Sequence, residues 1–97
     1  MGYKEDMSAD FYVEKFGLVS GSASNAFFPN TPAIMAKFVA YAGNIGRFYI
    51  GKDGNTTFEI TPGTTTEWFP VVEDNLNVLQ FRNPSGTVDK LAYWVRN

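Results

Sequence analysis

The sequence predicts an all-β fold, a two-layer antiparallel β-sandwich of jelly-roll or immunoglobulin-like topology with about seven or eight strands. Three observations carry this reading. Short runs of β-branched and aromatic residues alternate with polar ones, clusters of Gly, Pro, Asn and Asp separate the runs at close intervals, and no amphipathic helix of useful length is present.

Residues 1–10 are polar and lack periodicity, which predicts a flexible N-terminal arm or a segment that orders on a partner; residues 11–97 form a single domain. The first strand is expected over residues 11–19, Phe-Tyr-Val-Glu-Lys-Phe-Gly-Leu-Val, with a polar break from Ser20 to Asn25. Residues 33–41 alternate clearly. Ile34, Ala36, Phe38 and Ala40 share one face, expected to be buried, and Met35, Lys37, Val39 and Tyr41 share the other. The tract 42–51 is punctuated by Gly43, Gly46 and Gly51, a pattern that marks a tight corner leading into a strand in which Phe48 and Ile50 face the core while Arg47 and Tyr49 face outward. Asp53-Gly54 supplies hairpin-turn chemistry.

Beyond the hairpin, Phe58 and Ile60 share a face opposite Thr57 and Glu59, and Thr61-Pro62-Gly63 has the composition of a type II turn. A strand over residues 64–69 ends at Pro70. Residues 76–82 set Leu79 and Phe81 against Gln80 and Arg82, Asn83-Pro84-Ser85-Gly86 turns the chain, and residues 87–95 set Leu91, Tyr93 and Val95 against Lys90, Ala92 and Trp94.

Composition narrows the function classes. The 97 residues are 44% hydrophobic, 16% aromatic and 19% charged, too apolar for a disordered chain and low in charge. The net charge is −2 and the eight cationic residues are scattered, whereas nucleic-acid binding draws on clustered Lys and Arg; no nucleic-acid partner is expected. No apolar run approaches the roughly 20 residues that span a bilayer, the N-terminus has no apolar signal stretch, and Asp6 stands where an acylation signal needs Ser or Thr. No membrane association and no Sec-type export are expected.

Catalysis has little to draw on. Histidine and cysteine are both absent, which removes His-based general bases, Ser-His and Cys-His dyads, disulfides and the usual zinc sites. Carboxylate pairs remain, such as Asp53 with Glu59, Glu67 with Glu73 and Asp74, or Asp89, but a chain this short has little room for a deep cleft, and solvated turn carboxylates explain them. The oxygen-rich loops at Asp53-Gly54-Asn55 and Glu73-Asp74-Asn75 lack the ordered ligand series of a calcium loop, and the tract 42–51 lacks the spacing of a phosphate cradle. No catalytic residue, cofactor or metal is expected.

The aromatics carry more information. Trp68 and Phe69 are adjacent, so a regular strand sends one of them outward unless a bulge turns both in, and Trp94 falls on the face opposite Leu91 and Tyr93. Outward aromatics suit protein interfaces and sugar-stacking platforms. Tyr41, Arg47, Tyr49, Trp68 and Trp94 are therefore the interface candidates, with Tyr41 and Tyr49 widening an aromatic patch.

Ala42-Gly43-Asn44-Ile45-Gly46 running into Phe48-Tyr49-Ile50-Gly51, then Thr61-Pro62-Gly63, Trp68-Phe69-Pro70, Asn75-Leu76-Asn77 and a terminal Tyr93-Trp94, resembles the small β-sandwich structural proteins of tailed bacteriophage particles. The likeness covers about residues 33–95; the Trp68-Phe69 pair and the strand over 11–19 depart from its pattern. It implies a non-enzymatic virion role, decorating or cementing the capsid or serving as a head-fibre base or neck component, in contact with the major capsid protein or other virion proteins. It also implies assembly in the host cytoplasm and localisation in the virion. Exposed sandwich edges predict a homo-oligomer, and the analogy suggests a trimer. The second function class is a carbohydrate-binding or adhesion module of a virion or cell surface, with Trp68, Trp94 or Tyr49 stacking on sugar rings.

Overall fold

A computed structural model describes residues 14–97; the arm expected over residues 1–10 and the first three residues of the segment 11–19 lie outside the described residues. The chain runs through β1 Glu14–Ser20, β2 Ala26–Phe27, β3 Met35–Ala40, β4 Phe48–Lys52, β5 Asn55–Ile60, β6 Phe69–Pro70, β7 Leu79–Arg82 and β8 Lys90–Arg96. These strands make two four-stranded antiparallel sheets, ordered β1-β8-β3-β6 and β2-β7-β4-β5. Every connection except the β4–β5 hairpin crosses from one sheet to the other, and the strand order is that of a jelly roll.

Alternation decides which residues meet between the sheets. In the first sheet, the register rows Val95–Ala36–Phe69, Tyr93–Phe38 and Leu91–Ala40 point inward. From the second sheet Phe48, Ile50, Ile60 and Phe81 close over them, all buried. Phe28 sits at the centre, its ring 4.8 Å from Phe81, 5.2 Å from Phe38 and 5.8 Å from Tyr93 between centroids. Such aromatic clusters combine large apolar burial with favourable tilted and edge-on geometry.

The turns follow their residues. Asp53 and Gly54 both take positive φ (54° and 83°), as a tight two-residue hairpin requires, and Gly63 does so at 83° where Thr64 N–H bonds back to the Thr61 carbonyl at 3.1 Å.

Four expectations are corrected. Ile34 was expected in the core but is 49% exposed, because β3 begins only at Met35. The strand expected over 64–69 reduces to Phe69–Pro70 and one bridge between Thr65 and Val39; the Thr66 hydroxyl, not a ladder carbonyl, accepts the Phe38 N–H at 2.9 Å. Residues Leu76–Val78 form a 3-10 turn, capped by the Asn75 side chain accepting the Asn77 N–H, so β7 starts at Leu79. The segment expected as a strand from residue 87 turns until residue 89, and β8 begins at Lys90.

Candidate interaction surface

One end of the sandwich is tied by a polar clamp that the corner tract 42–51 helps to build. Asp89 is buried, and its carboxylate accepts the N–H groups of Ile45 and Gly46, both at 2.8 Å, and the side-chain amide of Asn83 at 3.0 Å. Burial pushes this carboxyl up, but the two backbone N–H donors and the amide outweigh it and hold it below the ordinary carboxylate value. The Asn44 side chain works as a surrogate strand, donating to the Lys90 carbonyl at 2.8 Å and accepting the Lys90 N–H at 2.9 Å. The tract thus holds the β3–β4 loop against the β7–β8 loop. A carboxylate considered for catalysis is a structural acceptor.

The other candidate carboxylates stay apart from it. Glu59 is paired with Arg47, raising the Arg47 pKa, while Asp53 and Glu73 stand 3.5 and 3.6 Å from the Lys52 ammonium. Among the described residues no group of three or more acidic side chains is placed to hold a metal ion.

The outer face of the β1-β8-β3-β6 sheet is different in character. Its register rows run Arg96–Met35–Pro70, Phe16–Trp94–Lys37 and Leu18–Ala92–Val39–Thr65. Phe16 (58% exposed) and Leu18 (48%) lie on β1, and Trp94 stands between Phe16 and Lys37, its ring centroid 5.5 Å from that of Phe16. Trp68, just before β6, is half-buried on the same side. The Lys37 ammonium lies over both indoles, 5.2 Å from Trp94 and 5.3 Å from Trp68, and the Arg96 guanidinium stacks on Trp68 at 4.1 Å. Cation–π contacts of this kind hold large side chains in place and keep charge at an otherwise apolar surface.

The five interface candidates separate between the two faces. Trp68 and Trp94 come together on this face, and Tyr41, exposed, follows β3 on the same side, its N–H bonded to the Lys90 carbonyl at 3.4 Å. Tyr49 and Arg47 do not join them. Tyr49 pairs in register with Arg82 and Glu59 on the outer face of the opposite sheet, beneath the Arg82 guanidinium at 4.6 Å, and Arg47 is held by Glu59. The Trp68-Phe69 pair resolves by plain alternation: Phe69 turns in to pack on Phe38, centroids 5.5 Å apart, and Trp68 turns out. Phe16, Leu18, Lys37 and Arg96 complete the face without having been singled out from the sequence; the period-two spacing of Phe16, Leu18 and Ser20 on β1 was the available signal.

No family model matches the chain, and no curated protein or solved structure matches it.

Proposed function

We propose that this chain is a non-enzymatic structural protein of a tailed-phage virion, decorating or cementing the capsid by protein–protein contacts made through the outer face of the β1-β8-β3-β6 sheet. The observation that carries the reading is that face itself: Phe16, Leu18, Trp68 and Trp94 gathered on one surface and braced by Lys37 and Arg96. Rigid aromatics with an arginine rim are the residue types that dominate interface energetics. The jelly-roll strand order supports it by analogy, since viral capsid domains use that order, as do lectins. On a repeating lattice, modest contacts per subunit add up to firm attachment, and a homo-oligomer, a trimer by analogy, multiplies them further.

Purified protein mixed with undecorated capsids is expected to co-sediment, and Trp94→Ala to weaken the association; protein left in the supernatant at micromolar concentration overturns the proposal. Sugar binding by the same tryptophans is the competing reading, but each indole already carries a cation over its ring. Titration with host polysaccharide should leave the tryptophan emission flat, and saturable quenching would favour that alternative.

A further inference from the structure

The aromatic face has a charge of its own. Among the described side chains in its register rows the charged ones are Lys37, Lys90 and Arg96, all cationic, in a chain whose net charge is −2. The described carboxylates lie elsewhere. Glu59 stands beside Tyr49 on the opposite sheet, Asp53 and Glu73 flank Lys52, Asp74 follows Glu73 in a 3-10 turn, Glu67 lines a cavity shared with Ile50 and Phe58, and Asp89 is buried in the clamp. Neither Lys37 nor Lys90 forms an ion pair with a described residue. The Lys90 ammonium donates to the Ser20 hydroxyl at 2.7 Å, and Lys37, in the middle row of the face, is half-buried with its ammonium over two neutral rings. A ring quadrupole orients an ammonium without cancelling its charge, and the apolar surroundings strengthen its attraction for an incoming anion.

We propose that the partner surface seated on this face presents a carboxylate framed by apolar side chains, the carboxylate meeting Lys37 between the indoles and the apolar groups covering Phe16, Leu18 and Trp94. The proposal rests on the reading of this face as the contact surface and adds the chemistry of what it contacts. Charge selects the occupant. An acidic partner neutralises Lys37 in the middle row and Lys90 at the edge, whereas a basic partner, or a second copy seated face to face, sets like charges against each other. Apolar contact alone would leave the Lys37 ammonium buried without a counter-ion, which is costly. Framed by the aromatic anchors, an ion pair at Lys37 is shielded from water, where a charge pair across an interface contributes most.

The test is titration of the full chain with the blocked pentapeptides Asp-Phe-Glu-Leu-Asp and Lys-Phe-Lys-Leu-Lys, followed by tryptophan emission, with backbone NMR shifts locating the contact. The acidic peptide is expected to bind saturably, with shifts concentrated at residues 16–18, 37 and 94, and to weaken about three- to tenfold when the ionic strength rises from about 0.05 M to about 0.5 M. The basic peptide should not bind. Lys37→Gln should lose a similar factor, and Lys37→Arg, which keeps both the charge and the stacking, should recover it. Tyr49→Ala, on the opposite sheet, should match the parent. No saturation at millimolar peptide, equal binding of both peptides, shifts around Tyr49 instead, or self-association of the chain through the aromatic face would each overturn the proposal. Capsid association that ignores both salt and Lys37→Gln would overturn it while leaving the virion reading in place, and acidic-peptide binding without capsid association would overturn the virion reading alone.

Discussion

Replacing Gly51 by alanine adds a single methyl group at a place where the backbone leaves no room. A Cβ at this position would stand 2.5 Å from the Asn55 carbonyl carbon and 2.8 Å from the Thr56 Cα, and it would overlap the Asn55 carbonyl oxygen, against the 3.4–4 Å of ordinary contact. All three atoms are main chain, so no rotamer change relieves the clash. Gly51 also sits at the register shift that follows Ile50. The hairpin must therefore open from Gly51–Thr56 to Lys52–Asn55. Losing about two ladder hydrogen bonds at ~1 kcal/mol each, together with part of the Ile50–Phe58 packing, gives a destabilisation of roughly 2–4 kcal/mol. For a domain of this size that corresponds to a fall in Tm of about 10–25 °C. Urea unfolding followed by tryptophan fluorescence, with calorimetry beside it, measures the effect. Gly43→Ala is the control, since nothing lies within 4 Å of a Cβ there, and it should stay within about 0.5 kcal/mol of the parent. If both variants unfold alike, the steric reasoning about the corner tract is wrong.

Two further perturbations probe other parts of the fold. Because its folded-state pKa is lowered, the Asp89 carboxylate contributes stability above the ordinary carboxylate range and loses it as pH falls through the folded value. Asp89→Asn should thus be less stable than the parent at pH 7, and the gap should narrow as pH falls below the ordinary carboxylate value of about 3.9; a gap that stays constant under acid refutes the role. Phe28→Ala empties the centre of the aromatic cluster and should cost about 3–5 kcal/mol in urea unfolding, and a loss below ~1 kcal/mol would show that Phe38, Phe81 and Tyr93 pack without it.

Local patterns carried the sequence reading wherever one side chain decides one conformation. Alternation placed Phe38, Phe48 and Ile50 in the core and put Leu79 with Phe81 and Leu91 with Tyr93 on shared faces, which are the buried ones, and turn chemistry placed Asp53-Gly54 and Thr61-Pro62-Gly63. Period alone could not choose between a jelly roll and an immunoglobulin-like order, since both alternate and only long-range pairing tells them apart. β2 is not legible in the sequence because two residues are too few to show a period, and neither is Phe28, a core aromatic just past the strand end. Residues 64–68 contain strand formers, yet Thr66 diverts the ladder through its hydroxyl. The candidate surface was half legible. Trp68 and Trp94 followed from alternation, but whether Tyr49 lies beside them depends on which sheet β4 joins, and the sequence does not say which.

The placement of β8 also governs how the domain can be made. It lies between β1 and β3, so neither can complete its half of the sheet until the residues of β8 have been synthesised. On the ribosome the earlier strands must wait with Phe16, Leu18 and the Phe38 edge unpaired, and the long sequence separation of these contacts slows closure once β8 arrives. Assembly of this sheet waits for Lys90–Arg96, and a chain stalled before Lys90 leaves β1 without its partner and β3 paired only with the two residues of β6.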